Sequence, residues 1–394
     1  MMKNQGHGGR RHRGWQRWVL ALVLGGVVLP GCAELRIAVI GPFSGLAASE
    51  GNEMLLGARA AVARINRNGG VLEQPLALLA FDDQCRNRPA VEAASQAANS
   101  GVILVVGHLC SDQSIIASDL YDEEGILQIS PSSTSVAFTE RGLDNVFRVV
   151  PRDDAQARLA GRYIVERHPG ARVGLIHNST GYGRGLEAAL NEALVDLGQP
   201  PIWRDALSQR SIDVSGLVDG IVQQQIELLY LGVSLEQGIA VVKALRARGL
   251  SLTIIGGDAL VSDRFWRDVG EGAEGVMATF PPDPTELYPA AQALARELRE
   301  AGQDPVGYTL YAYAVVEIFQ RAVERLGYVD FEDFKTVLRR EPFDTVIGPV
   351  AFDAKGDRVE AGYGGFVMYR MNRESGSMEI VYPAPDGQTH EPQG

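Results

Sequence analysis

The chain has 394 residues, 45% of them hydrophobic, with 45 glycines and a formal net charge of −12. That length exceeds one comfortable core and points to two domains; the glycine content suits an α/β protein with many tight strand–helix turns. The acidic balance argues against binding of nucleic acid or anionic membrane by the protein body.

The first residues stand apart from that globular part. Lys3, Arg10, Arg11, Arg13 and Arg17 precede an apolar run at 18–28 that ends in Leu29-Pro30-Gly31-Cys32. Basic, then apolar, then small residues make a secretory signal, and the run is short for a membrane span. Cys32 behind the small residues resembles the lipobox of bacterial lipoproteins. Residues 1–31 are therefore expected to be removed and Cys32 to carry lipid; the alternative is an ordinary signal peptide or a short anchor. Arg10-Arg11 hints at twin-arginine export without the rest of that pattern. The segment 1–31 holds five basic residues and no acidic one, so its removal takes the net charge from −12 to −17.

From there strands and helices alternate. Residues 35–40 read as a strand, 51–67 as a helix stopped by Gly69-Gly70, 76–81 as a strand and 89–99 as an Ala-rich helix. A strand follows at 102–106, a helix from near Asp112 and a strand at 126–129. The alternation continues through strand 146–150, helix 153–166, strand 172–177, helix 183–197, strand 228–231, helix 236–248 and strands 252–256 and 276–280. This spacing means a doubly wound α/β architecture. Breaks fall at Val150-Pro151-Arg152 and at Pro281-Pro282-Asp283-Pro284, a rigid connector. Helices at 286–301 and 308–326 follow, then a strand region containing 348–352 and 365–369. No repeat of solenoid length occurs, and the last dozen residues read as a disordered tail.

The loops after strands 102–106 and 126–129 leave the carboxyl edge of a parallel sheet, where open α/β folds bind ligands. Ser111 stands at a helix start, and Ser132, Ser133 and Thr134 crowd the other loop with hydroxyls. Hydroxyls and free backbone N–H groups converging there form a carboxylate-sized anion site. The plainer alternative is that Ser111 caps its helix and the serine run is a turn. With Cys32 acylated, Cys85 and Cys110 remain as an even pair in an oxidising setting, both at the same sheet edge. A bridge there closes a loop worth about 3 kcal/mol. A metal site is not expected, because only His108 is near and no further ligands show the required spacing. The segment Gly181-Tyr182-Gly183-Arg184-Gly185 lacks both dinucleotide spacing and a Lys-Ser/Thr ending, so its glycines read as a tight turn. No nucleophile elbow or His-Glu-x-x-His helix is present.

Several stretches together resemble the leucine/isoleucine/valine-binding proteins of ABC importers. They are Ala38-Val39-Ile40-Gly41-Pro42-Phe43-Ser44-Gly45, Asp82-Asp83-Gln84-Cys85, Gly107-His108-Leu109-Cys110-Ser111, the run from Asp122 to Pro131, and Thr345-Val346-Ile347-Gly348-Pro349. The likeness runs in register over 36–369. It implies a type I periplasmic binding protein: two doubly wound α/β lobes joined by three crossovers and closing on a ligand in the cleft. The lobes would comprise 32–151 plus 282–360 and 152–281 plus 361–394, with the third crossover near 359–362. The resemblance also implies the Cys85–Cys110 bridge.

It further implies which residues hold the ligand. Ser111 and Thr134 match positions that contact an amino acid's backbone, Ser132 one that offers a main-chain group, and Tyr182 a tyrosine that reaches across from the second lobe. Asp258 falls where the family carries a glutamate for the α-ammonium group, and Tyr308 matches an aromatic lining the side-chain pocket. Two positions depart. Glu50 replaces an aromatic wall of that pocket, and Ser234 replaces a tyrosine. A carboxylate buried against methyl groups is costly, so Glu50 suits a polar or cationic side chain better than leucine; the alternative is that it points to solvent.

The expected function is thus an exported substrate-binding lipoprotein, in the periplasm or at the cell surface. It would capture an amino acid for the permease of an ABC importer, as a monomer held at the membrane by its N-terminal lipid, without chemistry or cofactor and without nucleic acid. The alternatives are a ligand-sensing regulatory or receptor protein of the same fold, binding an amide or amino-acid-like ligand, and a hydrolase using Ser111 or His108.

Overall fold

The computed structural model describes residues 34–209, 211–359, 365–372 and 377–383. The expected export signal, Cys32, the tail from 384 and residues 360–362, where the third crossover is expected, lie outside the described residues.

Apolar runs become strands, buried on both faces in the middle of the sheet and half-buried at the edge formed by Leu76–Asp82. In the first sheet these are β1 (Leu35–Gly41), β2 (Leu76–Asp82), β3 (Leu104–Gly107), β4 (Leu127–Ser130) and β5 (Val146–Arg148), all parallel in the order β2-β1-β3-β4-β5. Ile37 of β1 stands beside Leu78 of β2 and Leu104 of β3. The helices between them are α1 (Ala48–Arg67), α2 (Asn87–Asn99) and α3 (Ser111–Glu123). On α1, Met54, Leu55, Ala58, Ala61, Val62 and Ile65 form the buried stripe, the face width a core-packed helix needs.

After β5 the chain enters a second sheet through α4 (Asp153–Arg167), β6 (Val173–His177), α5 (Gly181–Asp196), β7 (Trp203–Ala206), α6 (Ser215–Gln223), β8 (Leu228–Gly232), α7 (Leu235–Ala247), β9 (Thr253–Gly256), α8 (Asp263–Val269) and β10 (Met277–Phe280). Past Pro281 come α9 (Pro284–Leu287), α10 (Pro289–Glu300), α11 (Thr309–Leu326), α12 (Phe331–Arg340) and the hairpin of β11 (Phe343–Thr345) and β12 (Gly348–Val350). Finally β13 (Val367–Asn372) and β14 (Ser377–Tyr382) join antiparallel, giving the order β14-β13-β10-β9-β8-β6-β7.

The segment beyond β10 returns to the first sheet. Leu310, Tyr311, Ala314 and Ile318 of α11 share one core with Met54 and Ala58 of α1 and with Leu104 and Ile129. The two helices touch backbone to backbone, since a Cβ on Gly57 would stand 1.9 Å from the Thr309 carbonyl oxygen. The second sheet has a core on each face, one around Val218, Leu229 and Val242, the other around Leu159, Leu190 and Tyr230.

Three sequence expectations change. The helix expected over 286–301 is two helices, because Pro289 cannot continue the turn that ends at Leu287. The strand β7, the helices α6, α8 and α12, and the strands β11 and β14 were not anticipated. Residue Ser111 does not cap its helix: Cys110 occupies that position, with no side-chain hydrogen bond to the helix.

Candidate functional site

Both sheets reverse their strand order once: β1 lies between β2 and β3, and β6 between β7 and β8. Loops leaving the carboxyl ends of strands diverge at such points and leave a crevice. The two crevices face one another around a cavity of about 380 Å³. From the first sheet it is lined by Gly45–Ala47 and Glu50 beyond β1, Gln84–Arg86 beyond β2, Leu109–Gln113 beyond β3, and Ser132 and Thr134 beyond β4. From the second come Asn178, Thr180, Tyr182, Gln209, Ser234–Glu236, Asp258 and Ala259, with Tyr308 entering at the start of α11.

The first wall is set by a buried polar frame. The His108 carbonyl accepts from the hydroxyls of Ser130 (2.9 Å) and Ser133 (3.2 Å). Its ring, fully buried, meets Asp83 at 2.6 Å through Nδ1 and the Tyr121 hydroxyl at 2.8 Å through Nε2. The frame fixes the two serine loops relative to each other. Cys85 and Cys110 are joined by a disulfide with Cα atoms 5.7 Å apart, tying the loop after β2 to that after β3. Gln84 and Cys85 have positive φ, at 53° and 47°. Asp82 and Asp83 carboxylates hold them there by accepting from their backbone N–H groups at 3.0 and 2.8 Å, a local side-chain turn.

The candidate site residues fall in different places. Ser111 Oγ accepts from Ser135 N–H at 3.3 Å, and Ser132 Oγ donates to the Leu109 carbonyl at 3.0 Å; both still line the cavity. Thr134 Oγ1 is buried there with no partner. Ser133 is behind the wall: its fully buried hydroxyl meets Ser114 at 2.7 Å and is not presented to the cavity. Ser234 lines the cavity while capping α7, its Oγ accepting from Gln237 N–H. Glu50 is half-buried at the cavity edge and accepts from the Ser49 hydroxyl at 2.6 Å.

Asp258 is the focus of the second wall. Its Oδ1 accepts from the Tyr182 hydroxyl at 2.8 Å and Gln156 Nε2 at 3.0 Å, and its Oδ2 from the Tyr308 hydroxyl at 2.6 Å. Burial, reinforced by Asp258, pushes the Tyr182 and Tyr308 hydroxyls well above the ordinary range, so both stay protonated as donors. The Tyr308 ring is seated against Phe280, centroids 5.4 Å apart. A second link across the cavity joins Asp112 to Gly181, whose N–H donates to both carboxylate oxygens at 2.8 and 3.0 Å. This places a carboxylate on the N-terminus of α5, where the helix dipole favours negative charge.

Sequence reasoning missed Asp153, Gln156, Gln209 and Glu236. Glu236 accepts from Arg264 at 2.7 Å, and Arg264 also donates to the Leu46 carbonyl at 3.1 Å. Each of the four reads in the sequence as an ordinary polar residue of a helix start or loop; only the fold reveals its burial or its place on the cavity. Among the described residues no cluster of three or more His, Cys, Asp or Glu has metal-holding geometry, and no helix is long and apolar enough to cross a membrane.

The profile of a family described as periplasmic binding protein matches residues 34–372. A Leu/Ile/Val-binding protein homologue from Brucella suis is 33% identical over 342 residues, covering 86% of this chain and 91% of the relative. An ABC transporter substrate-binding protein from Desulfitobacterium hafniense, solved in complex with Leu, is 26% identical with a TM-score of 0.71, covering 89% of this chain and 100% of the other. A leucine-binding protein from Thermotoga maritima superimposes with a TM-score of 0.80 at 21% identity, over 88% of this chain and 97% of the other. The fold is that of a type I periplasmic binding protein.

Proposed function

Because the chain belongs to the periplasmic binding protein family, we propose that it captures an amino acid in the cavity between its two sheets and delivers it to an ABC importer. The relatives include proteins named as Leu/Ile/Val-binding and as ABC transporter substrate-binding. The observation that carries the reading is the pairing, on opposite walls, of a buried carboxylate with a hydroxyl-lined helix start. Asp258 faces the cavity with every donor around it neutral, which suits a ligand ammonium group. Across from it stand Ser111 at the N-terminus of α3, Ser132 and the unpartnered Thr134 hydroxyl, which suit a carboxylate.

In this reading Tyr182 and Tyr308 close over the amino acid, and Ser234 and Glu50 face its side chain. Glu50 favours a polar or cationic side chain. The lobes are 32–151 plus 282–360 and 152–281 plus 361–394, hinged at the passages between the sheets, and the monomer is tethered outside the cytoplasm by lipid on Cys32. A thermal-shift screen of the mature protein against all amino acids tests the capture. A bound ligand at about 100 times Kd adds about 2.7 kcal/mol of stability; no shift with any amino acid defeats the proposal. Release of Cys32→Ser from the membrane fraction tests the tether.

A further inference from the structure

A second carboxyl group stands behind Asp258. Asp153, the first residue of α4, is fully buried. Its backbone N–H donates to the Thr134 carbonyl at 2.9 Å, fixing it to the loop that lines the cavity. Gln156 Nε2 donates to Asp153 Oδ1 at 3.2 Å and to Asp258 Oδ1 at 3.0 Å, so one amide nitrogen lies between two carboxyl groups. The amide cannot turn around, because Gln156 Oε1 accepts from Asp258 N–H at 3.1 Å and the Thr279 hydroxyl at 2.7 Å. The Thr134 hydroxyl lies beside the Asp153 carboxyl and favours its ionised form, less strongly than burial and Asp258 oppose it; no full hydrogen bond joins Thr134 Oγ1 to Asp153 Oδ2. Two polar atoms are thus left open between Asp153 and the cavity.

Arg148 draws the Asp153 carboxyl downward, but less than burial and Asp258 raise it, and the cations nearby are committed to other partners. On β5, Arg148 is taken up by Asp357, the carbonyls of Ser133 and Ser135 and the Thr139 hydroxyl. At the passage between the sheets, Arg152 pairs with Asp357, Glu140 and Asp154. From β8, α5 and α11 the facing groups are the hydroxyls of Tyr230, Tyr182 and Tyr308, all held neutral. Neither Asp153 nor Asp258 forms an ion pair among the described residues. Two carboxyls sharing a dry site cannot both ionise; burial, with Asp258 adding to it, pushes the Asp153 carboxyl well above the usual range.

We infer that the wall around Asp258 is a two-carboxyl site that keeps one proton on Asp153 while the cavity is empty and gives it up when a ligand's ammonium group arrives. The O–H bond of Asp153 breaks, the proton leaves to solvent, and the ammonium keeps its own three hydrogens. The site then holds two negative charges against one positive charge. Amino-acid capture is thereby linked to proton release. The inference rests on the amino-acid reading above.

The test is calorimetric titration of the mature protein with L-leucine and L-arginine at one pH in buffers of different ionisation enthalpy. The expected result is release of about one proton per ligand, with affinity rising up to about tenfold per pH unit over the range where Asp153 is protonated. Binding with an unchanged heat across buffers overturns the inference while leaving capture intact. Infrared difference spectra of the ligand-free protein against Asp153→Asn give a second readout that needs no ligand. A protonated-carboxyl carbonyl band lost in the variant supports the inference, and its absence overturns it. If that band is present but neither amino acid binds in the calorimeter, the amino-acid reading fails instead.

Discussion

Tyr308 and Asp258 meet across the cavity: the hydroxyl at the start of α11, on the first sheet's side, donates to a carboxylate oxygen beyond β9 of the second at 2.6 Å. The contact ties closure of the two walls to the group proposed to receive the ligand's ammonium. Removing one partner of a buried, hydrogen-bonded charge pair costs about 2–5 kcal/mol. Asp258→Asn is therefore expected to weaken every amino-acid ligand by roughly 30-fold or more. Tyr308→Phe removes one donor and is expected to cost about tenfold. Calorimetric titration measures both, and full affinity in Asp258→Asn would remove that residue from the site.

A different cross-cavity link makes no use of the ligand. Asp112 accepts twice from Gly181 N–H at the start of α5, and a hydrogen bond to a charged group contributes about 1.5–3 kcal/mol. Asp112→Ala is expected to speed ligand dissociation by about tenfold or more. Stopped-flow displacement reads the rate; an unaltered rate means the link does not hold the closed form.

Burial, with Glu50 adding to it, raises the Glu53 carboxyl from 4.5 to about 8, although it accepts from Tyr308 N–H. The folded protein thus binds this proton more tightly than the unfolded chain. The stability it contributes is fully present below about pH 4.5 and is lost as the pH rises through about 8. Glu53→Gln is expected to match the parent's thermal midpoint at pH 5 and exceed it by a few degrees at pH 9. Equal midpoints at both values would show that Glu53 ionises freely.

The bridge between Cys85 and Cys110 spans 25 residues of sequence. Loop-closure entropy assigns it about 3 kcal/mol. The Cys85→Ser/Cys110→Ser double variant is expected to unfold at lower denaturant by about that free energy. Its ligand affinity should also fall, since both cysteines line the cavity. Urea titration and calorimetry distinguish the two effects.

Much of this was legible because burial in a parallel sheet leaves a plain trace. Strands β3 and β8 are buried at every position and read as unbroken apolar runs. The edge strand β7, whose residues Trp203–Ala206 are half-buried or exposed, has no such run. Helix α12 buries only Phe334, Lys335 and Leu338, too little to stand out beside α11. The candidate cavity lining was readable where hydroxyls cluster, as at Ser111, Ser132 and Thr134, whereas Ser133 of the same cluster turns behind the wall. It was not readable at Asp153-Asp154, which looks like an acidic first turn complementing the helix dipole. Asp154 does behave so, pairing with Arg152 and Arg158, whereas Asp153 turns inward. No residue pattern separates the two.

Glu50 is the residue proposed to set which side chain the cavity favours. It stands in the first turn of α1 at the cavity edge, near Glu236 and Glu53. Glu236 is matched by Arg264 at 2.7 Å. Glu50 has no ion-pair partner among the described residues; only the Ser49 hydroxyl meets it. A methyl-bearing ligand side chain pressed against that carboxylate strips water from it without compensation, whereas a cationic one pairs with it. Glu50→Trp replaces the charge with an apolar wall of large area. The variant is expected to move the leucine-to-arginine affinity ratio toward leucine by about tenfold or more, equivalent to about 1.4 kcal/mol. Titration of parent and variant with both amino acids measures the ratio. A tenfold shift identifies Glu50 as the residue facing the ligand's side chain; an unchanged ratio places Glu50 in solvent and leaves the side-chain preference to Ser234 and Glu236.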